Sequence, residues 1–117
     1  MCRYNRIIDK IKDNSFDVII WSESVYYIGD RLSIREIFEF FEKILMKLKQ
    51  GGILCMANIV NQPDAPETPL TKRPIMDCYF SMLSHLAKPI HRSTYLEYKK
   101  ESGRYYEYQI WLFEKEK

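Results

Sequence analysis

The polar side chains best placed for chemistry lie where two apolar runs of the sequence end. Trp21, Ser22 and Glu23 end the first run, and Asn58 directly follows the second. Open α/β sheets bind ligands beyond the carboxyl ends of their strands, so we expect these four residues at one edge of a sheet. There Glu23 can accept a hydrogen bond from an ammonium group or take a proton. A structural role, in which Glu23 caps the turn after the strand, is equally open.

Two tyrosines follow the same turn. Tyr26 and Tyr27 could wall a ligand pocket, because aromatic faces attract cations. Packing in the core with one hydroxyl left in water explains both residues at least as well. The sequence therefore leaves the role of this pair open.

Three other titratable residues carry weaker signals. Asp17 lies at the start of the first apolar run, which is the wrong end of a sheet for catalysis, so we interpret it as structural. His85 and His91 are single and have no cysteine or acidic cluster near them in sequence. Packing or surface roles are therefore favoured for both histidines over metal binding or acid–base chemistry.

Composition narrows the class of protein. The chain has 117 residues, which is one domain or less, with 46% hydrophobic and 29% charged residues. Its 18 basic and 16 acidic residues leave a formal charge of +2, which does not resemble a nucleic-acid footprint. Three cysteines without a Cys-x-x-Cys pair argue against a zinc site and a disulfide framework. No apolar run is long enough to span a membrane, so we expect a cytoplasmic protein with free thiols.

The first half of the chain has the pattern of a βαβ unit. The nearly continuous apolar run Phe16–Trp21 predicts a strand buried on both faces, as in parallel sheets. Ser33 and Glu36 form a capping box that predicts a helix start, and Gly51 is expected to close the helix. A second strand follows at 53–57, and the crossover should be right-handed. The apolar stripe of the helix consists of Ile34, Ile37, Phe38, Phe41, Ile44, Leu45 and Leu48.

The second half predicts a helix and a hairpin. The stretch 61–74 contains four prolines and is typical of a long loop. An amphipathic pattern predicts a helix over 75–86, and β-branched and aromatic residues predict strands over 90–98 and 105–113. The tyrosines of these strands are best explained by a buried hairpin rather than a stacking platform.

Together, these segments resemble a known family. Residues 16–28 resemble the fourth strand and following turn of class I S-adenosylmethionine-dependent methyltransferases, and 45–54 resembles their Leu-Lys-Pro-Gly-Gly signature, with Gln50 in place of proline. That family orders its strands 3-2-1-4-5-7-6, with the seventh antiparallel. The resemblance implies an α/β fold: half of a Rossmann-like sheet, strands 4-5-7-6, with flanking helices. The Ser-Glu-x-x-Tyr-Tyr arrangement is most similar to the nodulation protein S branch, whose members N-methylate sugar-derived amines.

The resemblance also implies site roles. S-adenosylmethionine would be the cofactor, bordered by Trp21, Ser22 and Glu23. Glu23 and Tyr27 would be catalytic, while Tyr26, Tyr27 and Asn58 would contact the substrate. The family's Gly-rich turn after strand one has no counterpart, because the four glycines form no such motif. Its ribose-binding acid is not expected either, because about fifteen residues before strand four are too few for the family's first three strands. We therefore expect one partial domain, with residues 1–15 as a lead-in and 16–117 as strands four to seven.

Three functions follow from this pattern. The chain could be a methyltransferase half-domain that is inactive alone, a non-catalytic assembly module, or a truncated reading frame that needs a partner chain. The unpaired edge of strand four predicts a homodimer through that edge, or a chain that supplies the amino-terminal half. Nucleic-acid and membrane partners are not expected. Residues 61–72 are expected to be a mobile lid over the acceptor.

Overall fold

A computed structural model describes residues 8–22, 32–61 and 72–116, and the structural statements below concern these residues. They form four strands and two helices in the order β, α, β, α, β, β. The elements are β1 (Phe16–Ser22), α1 (Ile34–Met46), β2 (Leu48–Val60), α2 (Arg73–Leu86), β3 (Lys88–Lys99) and β4 (Arg104–Glu114).

The strands form one mixed sheet in the order β1-β2-β4-β3. β1 pairs with β2 in parallel, with Ile19 opposite Leu54 and Trp21 opposite Met56. β4 is antiparallel to both β2 and β3. In the numbering of the resembled family this is 4-5-7-6 with an antiparallel last strand, so the predicted fold class is confirmed.

Helix α1 begins at the predicted capping box. Ser33 Oγ accepts a hydrogen bond from the Glu36 amide at 3.2 Å, and Glu36 Oε1 accepts from the Ser33 amide at 3.0 Å. These hydrogen bonds lower the pKa of Glu36. The cap satisfies two amides that the first turn of a helix otherwise leaves without partners.

The expected end of this helix was wrong. α1 ends at Met46 with Lys47 as its carboxyl cap, and Gly51 lies inside β2 at φ +79° rather than closing the helix. The incoming chain explains the early end: the Ser15 and Phe16 amides donate to the Lys47 carbonyl at 2.8 and 3.1 Å. Because the Lys47 carbonyl is bonded to the incoming chain, the helix ends there and the backbone continues directly into β2.

Both helices pack on the same face of the sheet. The Trp21 ring lies 5.7 Å from Phe40 of α1, and the Phe80 ring of α2 lies 5.3 Å from Trp111, measured between centroids. Phe41 and Tyr79 join the helices edge to face. Burial raises the pKa of the Tyr79 hydroxyl. The largest fully buried apolar side chains are Trp111, Phe41, Phe113, Leu48, Leu54, Met56, Met76, Leu83 and Val60.

The prediction that β1 is buried on both faces was wrong. Phe16, Val18 and Ile20 are 42%, 53% and 74% exposed, while Ile19 and Trp21 point toward α1 and are half-buried. The described helices cover one face only, and β1 is the end strand of the sheet. Its second apolar face therefore has no covering layer among the described residues.

The buried-hairpin explanation of the tyrosines was right for only part of the set. Tyr106 and Tyr108 on β4 are buried, but Tyr95, Tyr98 and Tyr105 are 46%, 51% and 65% exposed. β4 lies between β2 and β3, whereas β3 is the other end strand. Whether a tyrosine is buried depends on the position of its strand in the sheet, and the number of tyrosines in the sequence does not reveal that position. No helix of the described residues is long and apolar enough to cross a membrane.

Gly52 should be the glycine least tolerant of a side chain. A Cβ built there would lie 2.8 Å from the Lys49 carbonyl oxygen and 3.0 Å from that of Asp17. We expect Gly52→Ala to lower the free energy of unfolding by about 1–3 kcal/mol through overpacking against backbone. Urea unfolding followed by tryptophan fluorescence measures this change.

Gly51→Asn is the matched control for this variant. Gly51 has a positive φ, but no atom of the described residues lies within 4 Å of the position that a Cβ would take. Asparagine tolerates that backbone region better than most residues, so we expect a smaller loss than for Gly52→Ala. Equal unfolding midpoints for wild type and Gly52→Ala would show that the strand relaxes around the methyl group.

Candidate functional site

The carboxyl ends of β1 and β2 meet at one edge of the sheet, as predicted. Ser22 lies opposite Ala57, so Asn58 follows one residue beyond the last paired position of β1. Asn58 itself lies opposite Gln109 of β4. Because side chains alternate along a strand, Asn58 shares the helix-covered face with Trp21, whereas Ser22 points to the other face.

Three of the predicted site residues can be followed in detail. Trp21 packs against α1, where its ring contacts Phe40 and Phe41 at centroid distances of 5.7 and 5.8 Å. Ser22 is exposed and Asn58 is fully buried. Glu23, Tyr26 and Tyr27 lie outside the described residues, as does most of the expected lid at 61–72, and these predictions stay predictions.

Asn58 is the unusual member of this set. Its side chain has no exposed surface, and neither Nδ2 nor Oδ1 has a hydrogen-bond partner among the described residues. A buried polar group left without a partner costs about 1–3 kcal/mol relative to one that is paired. Buried side-chain amides in folded proteins are nearly always bonded, so one without a protein partner indicates strain, a functional role, or a bound water or ion.

The neighbouring polar groups are bonded to one another and leave Asn58 out. Gln109 Oε1 accepts from Trp111 Nε1 at 2.9 Å and from Arg92 Nε at 3.1 Å. The Arg92 guanidinium also pairs with Asp77 of α2 and lies 4.3 Å from the centre of the Phe80 ring. This cluster ties α2 to the hairpin. It depends on cross-strand register, so no local sequence signal could have revealed it.

The three titratable residues interpreted as structural are all exposed. Asp17 is exposed at the far end of β1, with its carboxylate 3.8 Å from Lys49 Nζ. His85 is exposed on α2, and His91 bonds to Ser93 Oγ at 2.9 Å. Within residues 8–22, 32–61 and 72–116, no group of three or more histidine, cysteine or acidic side chains could hold a metal ion.

Comparison with solved structures identifies the fold. The N-methyltransferase NodS from Bradyrhizobium japonicum WM9 matches with a TM-score of 0.69 at 13% identity, over 95% of this chain and 57% of that one. A methyltransferase dependent on S-adenosylmethionine from Archaeoglobus fulgidus matches with a TM-score of 0.64 at 12% identity, over 97% and 66%. The cyclase SpnF matches with 0.60 at 14% identity, over 92% and 52%. No family model and no curated protein matches the sequence.

These likenesses establish a methyltransferase fold and not an activity. The chain spans about half to two thirds of the length of the proteins it matches. NodS has also been solved in complex with S-adenosyl-L-homocysteine, and this chain matches 52% of that structure with a TM-score of 0.64. The fold is therefore shared with a protein that holds the demethylated cofactor, and it is shared with a cyclase as well.

The unpaired amide of Asn58 leads to a prediction about the stability of the fold. Replacing Asn58 with leucine, which has the same number and branching of side-chain heavy atoms, removes two unpaired polar atoms from the core. We expect Asn58→Leu to raise the free energy of unfolding by about 1–2 kcal/mol. Chemical denaturation of the isolated chain measures the change.

Gln109→Leu is the matched control, because Gln109 lies opposite Asn58 but is hydrogen-bonded. This variant leaves the buried Trp111 indole N–H without its partner, so we expect a loss of about 1–3 kcal/mol. Destabilisation of the Asn58 variant to the same degree would mean that its amide has partners in solution.

Proposed function

We propose that this chain forms the acceptor side of an S-adenosylmethionine-dependent methyltransferase domain that acts on a small-molecule amine, and that it is inactive alone. The shared fold supports the first part. The orphaned Asn58 amide, buried beside the carboxyl-end edge of β1 and β2, is the observation that carries the assignment to a ligand site. A core that needed only stability would have an apolar residue at this position.

An amide suits an amine acceptor because it offers both hydrogen-bonding roles. Asn58 Oδ1 can accept from an amine N–H, and Nδ2 can donate to a neighbouring hydroxyl of the same substrate. When bound, S-adenosylmethionine supplies an electrophilic methyl carbon; the amine lone pair forms the C–N bond as the C–S bond breaks, and the nitrogen sheds one proton. Transfer of this kind depends chiefly on in-line positioning.

Other residues take their proposed roles from the resemblance. Glu23 would receive the proton that the amine sheds. Tyr27 would hold the cationic sulfonium of the cofactor or the amine against its ring, with Tyr26 beside it. Trp21 and Ser22 would border the methionine end of the cofactor. Trp21 also contacts Phe40 and Phe41 of α1, so the cofactor would be contacted by the part of its ring that α1 leaves free.

The cofactor's adenosine end finds no counterpart in this sequence. The 117 residues contain four glycines, and none forms the Gly-rich turn that lets backbone approach the cofactor. The residues present therefore fit the methyl-transfer end of the site and not the nucleoside end. The lack of this turn among the 117 residues also supports the second candidate, a non-catalytic assembly module.

The isolated chain should bind S-adenosylmethionine poorly. Calorimetric titration is expected to give a dissociation constant weaker than about 100 µM, because the polar contacts to the nucleoside are missing. A value in the low micromolar range would overturn the division of the site proposed above.

Reconstitution tests the activity itself. We expect the chain, mixed with a separately produced amino-terminal half of a methyltransferase domain of this fold, to transfer labelled methyl from S-adenosylmethionine to glucosamine. Asn58→Leu should lower kcat/KM by about 10- to 100-fold, the equivalent of one hydrogen bond to the amine nitrogen as it becomes charged in the transition state. Gln50→Leu, exposed at the opposite end of β2, should leave the rate unchanged. Folded mixtures without transfer to any amine would favour the non-catalytic module.

A further inference from the structure

The hairpin of β3 and β4 extends beyond the edge at which the candidate site lies. The last pair between β2 and β4 is Val60 with Glu107, whereas β3 and β4 remain paired as far as Lys99 and Arg104. The last three pairs of the hairpin, about 10 Å of strand, therefore project past the carboxyl end of β2. This part of the hairpin flanks the edge at which Ser22 ends β1.

Three tyrosines share one face of the hairpin. Tyr95 lies directly opposite Tyr108, and Tyr106 precedes Tyr108 by two residues on β4, so all three side chains are on the same face. The rings of Tyr95 and Tyr108 are stacked at a centroid distance of 5.3 Å. Trp111 of β4, which packs against α2, is on the other face. The tyrosine face is the one to which Ser22 points, as the register of the sheet requires.

These rings already hold a cation. Lys99 Nζ lies 4.8 Å from the centre of the Tyr106 ring and 5.9 Å from that of Tyr108. Both distances are within the range of about 6 Å in which a ring face attracts a positive charge. A hydrogen bond to Tyr108 raises the pKa of Lys99, and the nearby carboxylate of Glu97 adds to this effect. The surroundings therefore favour the charged form of an amine.

Lys99 is an occupant that a ligand can replace. It is the last residue of β3, and its charge sits on a flexible four-carbon stem. A lysine ammonium is strongly hydrated, whereas quaternary ammonium groups are the cations that clusters of aromatic rings bind in proteins. Glu97, exposed on β3 opposite Tyr106, offers the negative charge that such a ligand needs. Arg104 lies opposite Lys99, but it is exposed and solvent screens its charge.

We propose that Tyr95, Tyr106 and Tyr108 form a binding site for the methylated ammonium group of a small molecule, which enters by displacing Lys99. Glu97 supplies the opposite charge at the rim. The use of this site by a methylated acceptor amine rests on the proposed function, because it depends on the neighbouring edge of β1 and β2. Binding of the cation does not depend on methyl transfer, so the two proposals can fail separately.

Titration with tetramethylammonium chloride tests the site. The NMR signal of the probe's methyl protons should shift upfield and saturate, because the protons lie over ring faces. Lys99→Met removes the competing cation, and we expect it to tighten the dissociation constant about 3- to 30-fold, the range that cation–π contacts span from exposed to desolvated sites. tert-Butanol, which has a similar shape and no charge, is the control and should bind more weakly. Equal binding of the two probes, or no saturable shift with Lys99→Met, overturns the proposal.

Ring variants in the Lys99→Met background locate the site. Tyr106→Leu should abolish the shift, whereas Tyr106→Phe keeps the ring face and should retain it. Tyr105→Leu is the matched control, because Tyr105 is 65% exposed and its ring lies on the other face of the hairpin, 5.0 Å from that of Tyr98. Binding that survives Tyr106→Leu overturns the proposal.

A direct contact measurement covers the case in which Tyr106→Leu does not fold. Nuclear Overhauser effects in Lys99→Met should connect the methyl protons of tetramethylammonium with the ring protons of Tyr106 and Tyr108. Effects that reach only Tyr98 and Tyr105 would place the probe on the opposite face of the hairpin and overturn the proposal.

Discussion

The parallel pairing of β1 with β2 is the constraint on which the rest of the structure depends. Its geometry is set where α1 ends: the amides of Ser15 and Phe16 bond to the Lys47 carbonyl, and Lys47 Nζ returns to Asp13. Lys115 adds a contact from the other end of the chain, 2.7 Å from the Leu48 carbonyl oxygen. Three segments distant in sequence thus fix one junction, and that junction decides which residues of β1 and β2 end at the same edge. Gly52 belongs to the same constraint, because only a residue without a Cβ fits between the Asp17 and Lys49 carbonyls.

The pairing places a polar row inside an otherwise apolar layer. Asn58 and Gln109 are opposite one another and almost fully buried, yet their situations differ. Gln109 is bonded to Trp111 and Arg92, and so it helps hold α2 against the hairpin. The Asn58 amide has no hydrogen-bond partner within the described part of the chain. Both amides lie in one row and are buried, but only that of Gln109 has hydrogen-bond partners among the described residues. A polar group kept at a cost in stability is the kind of local inconsistency that sites of function produce.

Much of this arrangement could be predicted from the sequence, because its signals are local. The capping box of Ser33 and Glu36, the apolar run of β1 and the hairpin of β3 and β4 each depend on residues that are close together in sequence. The errors have a common cause in tertiary contacts. Gly51 was expected to end α1, but the Lys47 carbonyl is already bonded to the incoming chain. β1 was expected to be buried on both faces, but the burial of a strand depends on which layers cover the sheet. Arg92 and the unpaired state of Asn58 depend on cross-strand register, which composition and periodicity do not encode.

The fold alone does not determine what the chain does. The same topology matches an N-methyltransferase and a cyclase at similar TM-scores, so activity must be argued from the groups at the carboxyl edge. Those groups are divided between two faces: Ser22 points to the uncovered face, and Asn58 to the face beneath the helices. A ligand that touches both must lie across the end of the sheet rather than on either side. That is also where parallel strands leave their last backbone groups free, and where a crevice forms in open α/β sheets. Ser22 and Asn58 lie on different faces because side chains alternate along a strand. A site that uses both residues must therefore lie at the edge of the sheet and not on one face.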